Sequence, residues 1–196
     1  MREVKSQSWP PTARKEEKPN GVASDAAGIV RVVLTGFMGA GKSTVGGLLA
    51  AKLGWQFVDV DAAIEAMHGA SIAALFQQHG EAWFRRVEHA TILDFLGIDR
   101  LVLALGGGAI EDERTRQLLL DSEGTRLVHL EASLETVLLR CSGTEETRPV
   151  LRDRANLESR YARRLPLYRQ AHLSVPVDAV DPETVTEMLC SLLSVG

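Results

Sequence analysis

Apolar residues recur along this chain in two registers that take turns. Short apolar-rich runs at 29–34, 55–59, 101–105, 126–130 and 173–177 read as strands, and between them apolar residues fall three and four apart, as on a helix face. Val45, Leu48, Leu49 and Leu53 predict a helix over Thr44–Leu53 that Gly54 stops. Two short helices follow, Asp61 to about Met67 and Ser71 to about His79, then a longer one over Glu81–Leu96. Further helices are expected from Glu111 to about Leu120, from Ser133 to Arg140 with Ser133 as cap, and from Ala155 to His172 with an interruption at Pro166. Asp181-Pro182-Glu183 opens the last helix with a capping acid, a first-turn proline and an acid against the positive end of the dipole.

Strands alternating with helices make βαβ units. The expected fold is therefore α/β, three layers with a five-stranded parallel sheet in the middle. The unbroken apolar run at 101–105 suits a strand buried on both faces, and Pro176 puts the last strand at an edge. Ligands of such sheets bind beyond the carboxyl ends of the strands, which gathers Gly36–Thr44, Asp59–Asp61 and Gly106–Gly108 along one rim.

Gly36-Phe37-Met38-Gly39-Ala40-Gly41-Lys42-Ser43-Thr44 matches the phosphate-loop pattern G-x-x-x-x-G-K-[ST], with a strand before it and a helix after it. Glycines let successive N–H groups curl around a polyphosphate at the positive end of a helix. Lys42 would reach the outer phosphates and the Ser43 hydroxyl would ligate Mg²⁺. Asp59 could complete the Mg²⁺ shell and Asp61 could accept or orient the proton of an attacking hydroxyl, although either acid would equally serve as a helix cap. Arg85 and Glu88 share a helix face. They are either a solvated surface pair or a glutamate holding a guanidinium fork for a small-molecule carboxylate. Three consecutive glycines at 106–108 suggest close approach of a ligand to the backbone.

With 196 residues, 45% of them hydrophobic, the chain can bury one sizeable core, and a net charge of −4 leaves anion binding to local clusters. No apolar stretch approaches the roughly 20 residues that span a bilayer, so a soluble protein without a membrane partner is expected. Cys141 and Cys190 lack metal-ligand spacing and no secretory signal is evident, which suits a reducing cytoplasm. The five histidines show no metal spacing and are given no role. Residues 1–28, with Pro10, Pro11, Pro19 and only Trp9 as an aromatic, read as a disordered extension; Glu3, Glu16, Glu17 and Asp25 argue against a transit peptide.

Eight arginines crowd residues 140–169, but interleaved acids and only two tyrosines, Tyr161 and Tyr168, argue against a nucleic-acid surface. Most are expected to be solvated. Arg148, beside Pro149 in the aperiodic stretch 141–153, is the one placed to swing onto a transferring phosphoryl group.

Together these stretches resemble the shikimate kinase family, small cytoplasmic enzymes of aromatic amino-acid biosynthesis. The resemblance runs from about residue 30 to the end. It rests on Asp59-x-Asp61, Phe84-Arg85-x-x-Glu88, Gly106-Gly107-Gly108, Arg148-Pro149 and Arg164-Leu165-Pro166-Leu167-Tyr168, in that order after the phosphate loop. It implies a P-loop NTP hydrolase fold similar to nucleoside monophosphate kinases, a kinase domain over 29–196 and a mobile lid at about 141–153. The implied reaction is phosphorylation of the shikimate 3-hydroxyl by ATP, giving shikimate 3-phosphate and ADP.

By the same resemblance Gly39, Ala40, Gly41, Lys42, Ser43 and Thr44 hold ATP, with Arg148 from the lid, and Ser43 and Asp59 serve one Mg²⁺. Asp61, Arg85, Gly107 and Arg164 bind shikimate, with Glu88 behind Arg85, and Lys42, Asp61 and Arg148 carry the chemistry. A monomer without nucleic acid is implied. The chain departs from the family on the adenine side, where Cys141 stands for a frequent basic residue and residues 178–181 offer no base. The rival readings are another small-molecule kinase, such as a gluconate kinase, and a nucleotide-binding regulatory module without catalysis.

Overall fold

At the centre of the sheet lies β1 (Arg31–Thr35), buried from Val32 onward. It pairs in parallel with β3 (Leu101–Ala104) on one side and β4 (Thr125–Glu131) on the other. The edges are β2 (Gln56–Asp59) and β5 (Leu173–Pro176), so the order is β2-β3-β1-β4-β5, all parallel. The computed structural model describes residues 28–141 and 154–193. The expected extension and lid, and with them Arg148, lie outside the described residues apart from the boundary residues Gly28 and Cys141.

The helices are α1 (Lys42–Leu53), α2 (Val60–His68), α3 (Ile72–His79), α4 (Glu81–Phe95), α5 (Glu113–Asp121), α6 (Leu134–Cys141), α7 (Arg154–Tyr168) and α8 (Pro182–Leu193). β1 crosses over β3 to reach β2, whereas the later crossovers run back the other way. With right-handed connections this puts α1 on one face of the sheet, where α8 joins it, and α4 and α5 on the other. Both faces are thereby covered, and Leu101, Val102 and Leu103 are fully buried, as the unbroken apolar run predicts.

Local sequence explains where most helices begin. The side chains of Asp59, Ser71, Asp112, Ser133 and Asp181 each accept a hydrogen bond from the backbone N–H three residues on. Two expectations are corrected. The helix placed over Glu111–Leu120 starts at Glu113 under an Asp112 cap, while Ala109–Glu111 forms a separate 3₁₀ turn that closes the glycine-rich bend. Pro166 does not interrupt α7, which runs through it to Tyr168. A proline one turn from a helix end removes a single N–H bond. Here the buried Tyr168 ring, stacked on His129 at 5.1 Å, anchors the turn beyond it.

Candidate active site

The strand ends gather as topology requires, around an open cleft of about 1040 Å³. On one wall the chain leaves β1 through Gly36 and re-enters helix at Lys42. Gly36 takes φ 144°, and a side chain there would lie 2.6 Å from the Leu130 carbonyl oxygen, so only glycine lets the loop pass β4. Lys42 Nζ donates to the carbonyls of Gly36 (2.8 Å) and Phe37 (3.1 Å), folding its stem back along the loop. The N-terminus of α1, the positive end of its dipole, borders the cleft at Ser43 and Thr44.

Across the loop stand the acids of the β2 end. Asp59 is the cap that one reading expected, Oδ1 accepting from the Ala62 N–H (3.2 Å), while Oδ2 accepts from Ser43 Oγ at 2.6 Å. Asp61, in the first turn of α2, is no cap. Burial raises its pKa, the Asp59 charge raises it further, and Lys42 and Arg85 pull it back. A carboxylate so placed is a stronger base than one in water.

The far wall carries two guanidinium forks, each backed by glutamate. Arg85 Nη1 donates to Glu88 Oε2 at 2.6 Å and Nη2 to Glu81 at 3.1 Å. Glu88 is 1% exposed, so this is no surface pair. Burial outweighs the attraction of Arg85 and pushes the Glu88 carboxyl up to about 7, with Asp61 adding to the rise. Arg164, 5% exposed, gives Nε (2.8 Å) and Nη2 (2.6 Å) to Glu111 Oε2, and Arg163 holds Glu111 Oε1 at 2.9 Å. Burial would raise Glu111, but Arg164 and Arg163 prevail and hold it below the usual carboxylate range.

The glycines at 106–108 fit between these groups. A side chain at Gly106 would lie 2.6 Å from Asp61 Oδ1 and 2.9 Å from Glu88 Oε1, and one at Gly108 would fall on the Arg85 guanidinium. At Gly107 the nearest atom is Arg164 Nη1 at 3.6 Å, ordinary contact distance. Tyr168 Oη donates to the Gly107 carbonyl at 2.5 Å, which ties the glycine turn to α7.

The described residues expected from sequence therefore meet in one place. Gly39 to Thr44, Asp59, Asp61, Arg85, Glu88, Gly107 and Arg164 all line the cleft. Sequence reasoning passed over Glu111, Tyr168 and Arg160, and it took most of the arginines as solvated. Arg140, Arg163 and Arg169 are exposed, although Arg140 also donates to the Val177 carbonyl at 2.7 Å and Arg169 pairs with Glu131; Arg164 is buried and the half-buried Arg160 lines the cleft. The signal for two of these was helical: Arg160 and Tyr168 stand four residues either side of Arg164, on its face. His129 is buried beneath Tyr168, which drops its pKa to about 4 and leaves it neutral packing.

Comparison with known proteins converges on one family. The family model for shikimate kinase matches residues 38–193. A shikimate kinase of Persephonella marina is 39% identical over 160 residues, covering 81% of this chain and 96% of its own. The solved shikimate kinase of Acinetobacter baumannii in complex with shikimate superposes with TM-score 0.78 at 34% identity, over 85% of this chain and 94% of that one. A gluconokinase from Sinorhizobium meliloti, at 19% identity and TM-score 0.57 over 84% of this chain and 91% of that one, shares the fold.

Proposed function

The chain belongs to the shikimate kinase family, and on that premise we propose that this cleft transfers the γ-phosphoryl group of ATP to the 3-hydroxyl of shikimate, giving shikimate 3-phosphate and ADP. The observation that carries the reading is the pairing of walls: a phosphate loop on one side, and on the other Arg85 and Arg164, each braced by a glutamate, with Asp61 between them.

The main-chain N–H groups of Gly39 to Thr44 would grip the phosphates, with Lys42 leaving the Gly36 and Phe37 carbonyls for the outer oxygens. Two guanidinium forks suit a carboxylate, and Asp61 suits the ring hydroxyls, so the acceptor is held by both ends for in-line attack. Asp61, its pKa already raised, would take or orient the proton of the attacking oxygen. Gly107 would offer its backbone to the ring, since any side chain there would occupy the space.

Ser43 Oγ and Asp59 Oδ2, two hard oxygen donors 2.6 Å apart beside the loop, fit Mg²⁺, which when bound would neutralise phosphate charge. Arg148, outside the described residues, is assigned charge stabilisation on the transferring group from sequence alone. We further propose that it works as a monomer in the cytoplasm. Among the described residues no helix is long and apolar enough to cross a membrane.

The test is ADP release with ATP, Mg²⁺ and a panel of acceptors. Release with shikimate, and none with gluconate, is the expected result; preference for gluconate, or no turnover with any acceptor, overturns it.

A further inference from the structure

The acid-binding wall has a charge problem that its two recognised arginines do not solve. Arg85 is committed to Glu88 and Glu81, and Arg164 shares Glu111 with Arg163. With Glu81, Glu111 and Asp61 ionised and Glu88, pushed up to about 7, partly so, three arginines face at least three negative charges and the wall is neutral at best, a poor host for an anion. Arg160 is the remaining cation. It lies one turn before Arg164 on α7, lines the same cleft, and its Nε is buried with no hydrogen-bond partner among the described residues. A buried guanidinium N–H left unmet costs free energy that a bound acceptor would recover. Among the described residues the charged groups acting on it are Arg164, Glu111, Arg163 and Glu81, which also build the braced wall. Burial, reinforced by Arg164, pulls its pKa below the ordinary value, as expected of a cation short of counter-charge, though an arginine stays charged throughout.

We propose that Arg160 is a third guanidinium for the substrate carboxylate, giving this wall the net positive charge that draws and holds the organic acid. The inference rests on shikimate being the acceptor. Arg160 is thus a specificity residue for an anionic substrate and has no part in nucleotide binding.

The test compares wild type with Arg160→Met, which keeps the apolar stem and removes the charge. Shikimate affinity by calorimetry should fall about tenfold, the scale of one charge-assisted hydrogen bond, while the KM for ATP and kcat at saturation stay within about twofold. Arg160→Lys should restore part of the loss, and shikimate methyl ester, lacking the charge, should bind wild type and Arg160→Met alike. If Arg160→Met fails to fold by circular dichroism, Arg160→Gln takes its place in the same comparison. Unchanged shikimate affinity in a folded variant that lacks the charge, with wild type active, overturns the role of Arg160 alone. Wild type that binds no shikimate overturns the assigned function and this inference together.

Discussion

Glu88 Oε2 takes a 2.6 Å hydrogen bond from Arg85, while Glu88 Oε1, equally buried, has no donor among the described residues and faces Asp61 across the Gly106 backbone. One oxygen thus fixes the rotamer of the Arg85 fork, and the other keeps the carboxyl in a site too dry and too close to a second acid to ionise easily. The pKa of about 7 is the consequence.

A carboxyl group raised from its ordinary 4.5 to about 7 on folding favours the native state while protonated. Its contribution is complete below pH 4.5 and is lost as the pH climbs through 7. Glu88→Gln, neutral at every pH, should therefore flatten the decline in urea midpoint between pH 5 and pH 8 that wild type shows. It should also raise the KM for shikimate about tenfold through the loosened Arg85. A variant whose midpoint declines as steeply as that of wild type would show that the titrating group lies elsewhere.

Asp59→Asn separates the two jobs of that side chain. Asparagine caps a helix as well as aspartate, so the melting temperature should stay within about 2 °C. The missing charge should instead raise the Mg²⁺ concentration for half-maximal rate at least about tenfold. An unchanged Mg²⁺ titration would reduce Asp59 to a cap.

A methyl group at Gly107 meets nothing nearer than 3.6 Å, so Gly107→Ala should melt with wild type yet lose shikimate affinity about tenfold or more, because the space it fills belongs to the ligand. Gly108→Ala, whose methyl lands on the Arg85 guanidinium, should lose stability as well. Full affinity in Gly107→Ala would remove that residue from the substrate site.

Tyr168→Phe leaves the Gly107 carbonyl without its buried donor. The expected cost is about 1–2 kcal/mol, or about 2–8 °C in melting temperature, with a rise in the KM for shikimate as the peptide loses its fixed orientation. A rise in the KM for ATP alone would contradict this.

The strands, the parallel sheet and the caps Ser133 and Asp181 were legible along the chain, whereas the Asp112 cap was not. So was the phosphate loop, whose glycines and lysine carry their meaning within nine residues. The errors were of one kind. Pro166 and Glu111 each looked like local punctuation, a break and a helix start; the turn beyond Pro166 is anchored where Tyr168 stacks on remote His129, and Glu111 yields the start to the Asp112 cap while its carboxylate takes an arginine 53 residues on.

Periodicity, caps and glycine turns follow from bonds made within a few residues, so the sequence by itself determined the α/β architecture, the rim on which the site would lie and the acids and arginines available to it. Which glutamate braces which arginine, which buried guanidinium N–H meets no acceptor among the described residues, and which carboxyl holds its proton most tightly were decided only when the sheet brought α4, α7 and the 3₁₀ turn together. Burial and pairing depend on neighbours far apart in the chain, and these alone set the charge each group carries.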